Sequence, residues 1–281
     1  MKYLSPLRYP GGKKRLAKFV ADICIKNGIS GHYVEPFGGG ASVALYLLIN
    51  GFVKKITIND YDRGIYAFWY SILNETNEFC RKIETVEVNL LNWRKFKEIN
   101  CNKKKEDLFE LGFATFFLNR TNLSGIINGG MIGGIEQKGN YKLDCRFNRE
   151  DLIGRIKLIA KYKKSISVKN LDALKLIKEL QKRKNSNNTI YYFDPPYFVK
   201  GPSLYMNHYE SKNHESLSKE ISKIKKSKWI VSYDNVKEIK SLYKDYRAKE
   251  FTLSHNVYKA HVGKEILFFS DNIIIPKMNF I

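Results

Sequence analysis

The segment His32-Tyr33-Val34-Glu35-Pro36-Phe37-Gly38-Gly39-Gly40-Ala41-Ser42-Val43 limits the fold more than any other part of this chain. A short apolar run passes into three consecutive glycines and then into a mainly apolar stretch from Ala41 to Ile49. Glycine supplies positive φ and lets backbone amides approach a ligand closely, so the pattern predicts a buried strand turning sharply into a helix. Lys55 to Asn59, with Ile56, Thr57 and Ile58, predicts a second strand. A strand, a helix and a strand in this order build a parallel sheet. Asp60 stands twenty residues beyond Gly40, where a carboxylate can accept hydrogen bonds from both hydroxyls of a ribose. The turn and the acid together imply a nucleoside cofactor. Val43 stands where the dinucleotide fingerprint has its third glycine, which argues against a nicotinamide or flavin. S-adenosylmethionine, which has no pyrophosphate to cradle, fits what remains. Upstream, Tyr9-Pro10-Gly11-Gly12-Lys13 offers an aromatic face for the sulfonium or the adenine and a cation for the methionine carboxylate.

A second segment carries chemistry. Thr189 to Phe193 reads as an apolar strand that ends in Asp194-Pro195-Pro196-Tyr197. Proline cannot donate to a ladder, so the strand stops there, at the carboxyl end where open α/β sheets bind ligands. A carboxylate and a nearby backbone carbonyl can accept both N–H bonds of an exocyclic amino group, directing its lone pair at an electrophile and stabilising the charge that develops. Tyr197 can stack on the base that bears the amino group, and a base inside a duplex must first be flipped out.

Lysine and arginine number 49 against 28 acids, a formal charge of +21, which favours a polyanionic partner such as nucleic acid. The excess is six over residues 1–60, two over 61–150 and thirteen over 151–281. No apolar run approaches the roughly 20 residues that span a bilayer, and the polar start does not resemble a signal peptide, so a cytoplasmic location is expected. The four cysteines form no CxxC or Cys/His pair, which gives no support to a disulfide frame or a metal site. Further helix is expected near Arg15 to Asn27 and from Asp62 to Asn119, with strands at Ser165–Val168, Trp229–Ser232 and Glu265–Phe269. Lys182 to Asn188 reads as a polar, mobile loop.

With these segments in view, the chain resembles the Dam family of adenine-N6 DNA methyltransferases. The resemblance rests on Arg8-Tyr9-Pro10-Gly11-Gly12-Lys13, Val34 to Gly40, Asn59-Asp60, Leu118-Asn119-Arg120-Thr121, Cys145-Arg146-Phe147-Asn148, Asp194 to Tyr197 and Gly263-Lys264-Glu265-Ile266-Leu267, in the family's order. It implies an α/β, Rossmann-like S-adenosylmethionine-dependent methyltransferase fold with a mostly parallel sheet and an inserted, mainly helical target-recognition domain bearing a β-hairpin. On that pattern residues 1–61 and 150–281 form a discontinuous catalytic domain, and 62–149 form the insert, with a glycine-rich hairpin at about 122–147. The resemblance implies Asp194, Pro195, Pro196 and Tyr197 as the catalytic motif. It implies cofactor contacts from Tyr9, Lys13, Glu35, Pro36, Phe37, Gly38, Gly40, Asp60, Asp172 and Asp194. An Asp at the head of the tetrapeptide favours adenine over cytosine-N4.

The stretch 122–149 mixes glycines with side chains that can read bases or grip phosphate, so Arg120, Asn122, Ser124, Asn128, Lys138, Tyr141 and Arg146 are expected contacts to double-stranded DNA, with Gln137 and Lys142 beside them. Other readings keep the chemistry on RNA or cytosine-N4, or make the chain a DNA-binding regulator with a vestigial cofactor site. A monomer is expected, and a cognate restriction endonuclease acting on the same site is left open.

Overall fold

The computed structural model describes residues 4–8, 14–182, 186–199, 209–257 and 259–278. The described residues group into two compact units, one of residues 4–8 and 62–164 and the other of 14–61 and 165–278. Tyr9 to Lys13, which carry the expected Tyr9 and Lys13 contacts, lie outside the described residues, as do 183–185 of the expected polar loop.

The second unit is built on a seven-stranded sheet. In chain order it contains α1 (Lys14–Lys26), β1 (His32–Glu35), α2 (Ser42–Ile49) and β2 (Lys55–Asn59), and it resumes with β3 (Ile166–Lys169), α8 (Ala173–Gln181) and β4 (Thr189–Phe193). Helix α9 (Ser211–Ile221), β5 (Lys228–Asp234), the short helix α10 (Lys237–Leu242), β6 (Arg247–Val257) and β7 (Lys259–Phe269) follow. The strand order is β3-β2-β1-β4-β5-β7-β6. Strands β1 to β5 pair in parallel, while β7 runs antiparallel between β5 and β6. The inner strands are continuous apolar runs because both faces are covered: every residue of β4 is buried. On one face Leu176 and Ile177 of α8 and Leu217 and Ile221 of α9 pack against Tyr191, Phe193, Trp229 and Tyr233. Each such side chain contributes roughly 1.5–3 kcal/mol by leaving water. The mostly parallel α/β class agrees with the sequence. Strand β6 was not foreseen, since it is an edge strand carrying Arg247, Lys249 and Glu250 with Phe251 buried, and such polar edges carry little apolar signal.

The first unit is helical: α3 (Arg63–Asn74), α4 (Thr76–Thr85), α5 (Leu90–Cys101), α6 (Leu108–Thr121) and α7 (Arg149–Ala160). Leu111 to Thr121 of α6 are buried without a break, as expected of a helix enclosed by its neighbours. Phe113, Phe116 and Phe117 meet Phe68, Phe79, Phe96 and Phe147 at ring-centroid distances of 4.6–5.9 Å. Gly112 lets α6 approach α3, because a Cβ there would lie 2.6 Å from the Ala67 carbonyl oxygen.

Two features differ from the expected layout. Residues 4–8 and α7 group with the helices, whereas the family pattern implies a place with the sheet. Polar ties account for this: Arg155 donates to the Ser5 carbonyl at 2.9 Å, and Arg149 donates to the carbonyls of Ile83 and Val86. The stretch 122–147 is not a β-hairpin. It is a succession of turns with a single isolated bridge, Asn122 to Met131. Positive φ at Ser124, Gly125, Gly133, Gly134 and Gln137 breaks any strand, and the Gln137 amide donates to the carbonyls of Ile132 and Gly134 in place of a ladder.

The turn after β1 has an unusual helix start. Ala41 precedes α2 in the left-handed conformation (φ 47°) and supplies no side-chain cap. Glu35 serves instead: its Oε1 accepts from the Ala44 amide at 3.1 Å and from the Tyr33 hydroxyl at 2.8 Å. Burial pushes the Glu35 carboxyl from 4.5 up to about 8; the Asp194 charge adds to the rise, while the two hydrogen bonds oppose it. The fold therefore binds a proton that the unfolded chain releases, so stability is lost as pH climbs from about 4.5 through about 8. Relative to wild type, Glu35→Gln is expected to gain thermal stability steadily between pH 5 and pH 8.5, by on the order of several kcal/mol at the upper end. Calorimetric midpoints whose difference does not change with pH would contradict a buried, neutral Glu35.

Candidate active site

The carboxyl ends of β1, β2 and β3 are tied by one amide. Asn59, fully buried, donates from Nδ2 to the carbonyls of Pro36 and Leu171, both at 2.9 Å, and accepts the Leu171 amide at Oδ1. Its own carbonyl receives the Gly38 amide at 2.7 Å. Gly38 sits so close to β2 that a Cβ would lie 2.5 Å from Ile58 Cγ2, which explains the glycine without reference to a ligand. Pro36 and Gly40 are buried within the same turn. Asp60 lies against it, accepting the Gly39 amide at 2.9 Å. Asn170 donates to the Asp60 carbonyl at 2.8 Å.

Asp172 accepts the amides of Leu174 and Lys175 at the start of α8, so one of its oxygens is committed to the helix. Phe37 meets Tyr209 edge to face, with ring centroids 5.7 Å apart. Burial, then the charges of Asp172 and Asp60, push the Tyr209 hydroxyl well above its ordinary value. Tyr209 thus lies beside Phe37, Asp60 and Asp172. Tyr209 stands outside any periodic run, so no sequence signal marks it. Glu35 falls on the protein side of the turn, where it caps α2.

The tetrapeptide continues directly from β4. Asp194 is half-buried, and Pro195, Pro196 and Tyr197 are buried. Tyr197 donates its hydroxyl to Glu265 Oε1 at 2.6 Å, so it can meet a base only through its ring. The amides of Phe198 and Val199 donate to the Asp234 carboxylate, both at 3.0 Å. His214 on α9 lies beneath: its Nδ1 is 2.8 Å from the Tyr233 hydroxyl, and its ring meets those of Phe198 and Tyr209. Because the inner strands are parallel, Glu35, Asp60, Asp194 and Asp234 all come to the same edge of the sheet, where such folds bind ligands.

The expected DNA contacts divide into two groups. Asn122 has no exposed surface; its Oδ1 accepts Trp93 Nε1 at 2.7 Å and its Nδ2 donates to the carbonyls of Ile126 and Ile127. Arg120, 8% exposed, donates to the carbonyls of Arg146 and Pro6, and burial followed by neighbouring Arg8 and Arg155 lowers it to about 9. Both side chains are buried and spend these hydrogen bonds on the protein itself. Asn119, not foreseen as a structural residue, joins them by exchanging hydrogen bonds with the Arg8 backbone and donating to Gly125 O. Ser124 is half-buried at φ 56°. Asn128, Lys138, Tyr141 and Arg146 are exposed, and the Arg146 guanidinium lies 5.7 Å over the Tyr141 ring.

Comparison with known proteins supplies a family. The model of the D12 class N6 adenine-specific DNA methyltransferases matches residues 9–257. Over 205 residues the chain is 27% identical to the Type II methyltransferase M.MjaIII of Methanocaldococcus jannaschii, covering 68% of each protein. Among solved structures, the rRNA methyltransferase aviRa from Streptomyces viridochromogenes aligns over 94% of this chain and 87% of its own, at 11% identity and a TM-score of 0.40, too distant to carry weight. The family match spans both the Asp60 turn and the Asp194 tetrapeptide, and the chain belongs to the D12 class N6 adenine-specific DNA methyltransferases.

Proposed function

We propose that this DNA adenine methyltransferase uses S-adenosylmethionine at the carboxyl edge of its sheet and acts there on an adenine flipped out of duplex DNA. The observation that carries the reading is the delivery of the Asp60 turn and of Asp194 to that same edge by parallel strands. The residues fit the cofactor: Phe37 and Tyr209 offer aromatic surface to a purine, Asp60 offers acceptors to ribose hydroxyls, and Asp60, Asp172 and Asp194 provide negative charge for a cation. When bound, S-adenosylmethionine supplies a methyl group on a positively charged sulfur. Asp194 accepts one N–H of the target amino group, with a tetrapeptide carbonyl for the other. That pairing holds the nitrogen lone pair on the line of attack and stabilises the positive charge that develops on nitrogen. The ring of Tyr197 covers the base, and the amino proton is lost once the nitrogen is methylated.

The sheet unit is the catalytic part in this reading and the helical unit reads the DNA. As grouped in the structure, the helical unit has a charge excess of eight and the sheet unit thirteen, so both can grip phosphate. A monomer acting on one strand at a time suffices, and the Type II relative makes a cognate restriction endonuclease a partner to seek.

Asp194→Ala is expected to reduce transfer of labelled methyl to DNA by about a hundredfold or more with an unchanged thermal midpoint. Retention of most activity would remove Asp194 from the chemistry. Alanine at Asn128, Tyr141 or Arg146 should shift which sites become methylated, as read by sequencing modified positions in host DNA, and should change the salt slope of binding by no more than about 0.9 per charge removed. An unchanged site pattern in all three variants would move recognition away from this loop.

A further inference from the structure

Two carboxylates that the chemistry above does not use stand directly opposite each other in the antiparallel pairing of β5 with β7: Asp234 faces Glu265. They are 9% and 1% exposed. Like charges at opposed positions of a sheet destabilise it, and burial adds a desolvation cost, so the pair needs donors. Three of its donors come from consecutive residues: Glu265 takes the Tyr197 hydroxyl at 2.6 Å, and Asp234 takes the amides of Phe198 and Val199 at 3.0 Å each.

These three residues are the exit of Asp-Pro-Pro-Tyr. Pro195 and Pro196 have no N–H, so the sheet ladder cannot hold the backbone just beyond β4 through its donors. The antiparallel direction of β7 brings a residue from within that strand to the edge where β5 ends. We infer that Asp234 and Glu265 form a two-carboxylate clamp, a pair of positioning residues that fixes the tetrapeptide for methyl transfer. Glu265 sets the angle of the Tyr197 ring through its hydroxyl, and Asp234 fixes the turn that follows. The inference rests on the proposed role of the tetrapeptide.

The test is a double-mutant cycle on the full-length enzyme with a duplex carrying its mapped site. Single-turnover methyl transfer, KM for S-adenosylmethionine and DNA, and thermal midpoints are measured for Tyr197→Phe, Glu265→Leu and the double variant. Each single change should slow the methyl-transfer step by about tenfold while both KM values stay within about twofold. Leucine has no acceptor and phenylalanine no donor, so both remove the same hydrogen bond and the double variant should be no slower than the slower single one. A general loss of packing would instead lower the midpoint and multiply the losses. Multiplied losses overturn the clamp, and so does a Glu265→Leu enzyme at the wild-type rate. Should Glu265→Leu fail to fold, Tyr197→Phe, which keeps both carboxylates, must by itself show the tenfold loss; a wild-type rate overturns the clamp. Asp194→Ala in the same assay separates the two levels. If it stays active, the role of the tetrapeptide fails; if it is inactive while the losses multiply, only the clamp fails.

Discussion

The amide of Asn59 is the interaction on which the rest of the site depends. Three strands end within reach of one side chain, and that side chain satisfies a donor from β3's exit and acceptors on both sides of β2. A buried polar group left unmatched costs about 1–3 kcal/mol, so the arrangement is held in one register. The Gly38 turn is then pinned to the Asn59 carbonyl, and Asp60, the next residue, is placed against Gly39. The carboxyl edge of the sheet thus owes its shape there to strand ends that one buried side chain holds in place.

The sheet was legible where burial is complete. Strands β1, β2 and β4 match their expected bounds because apolar residues on both faces leave a continuous signal. Strand β6 was hidden by its exposed, charged edge. The loop at 122–147 was legible as an interruption but not in form, because glycine and asparagine permit turns and hairpins alike. Residue type also does not reveal direction. Asn122 and Arg120 carry the donors that DNA contacts require, yet both spend them on backbone carbonyls of the same unit. Glu265 was visible within a family segment, but its link to Tyr197 depends on a strand reversal that spacing alone does not encode.

Charge is arranged on two scales. The chain as a whole is strongly basic, which suits a polyanion at long range. At the carboxyl edge of the sheet Glu35, Asp60, Asp234 and Glu265 each accept a backbone amide or a hydroxyl group from within the same unit. The basic chain suits the phosphates of DNA at long range, and screening by salt confines each local group of acids to its own neighbourhood.

The sheet's central pairing also determines the order in which the molecule can form. β1 meets β2 soon after a single helix, but its other neighbour, β4, arrives about 160 residues later, since His32 pairs with Thr189. A chain made from its N-terminus therefore leaves the backbone N–H and C=O groups on the β4 side of β1 unpaired until the residues of β4 have been made. The length of the intervening segment, through the seconds needed to synthesise it at about 5–20 residues per second, sets how long that unpaired backbone edge stays open to other chains.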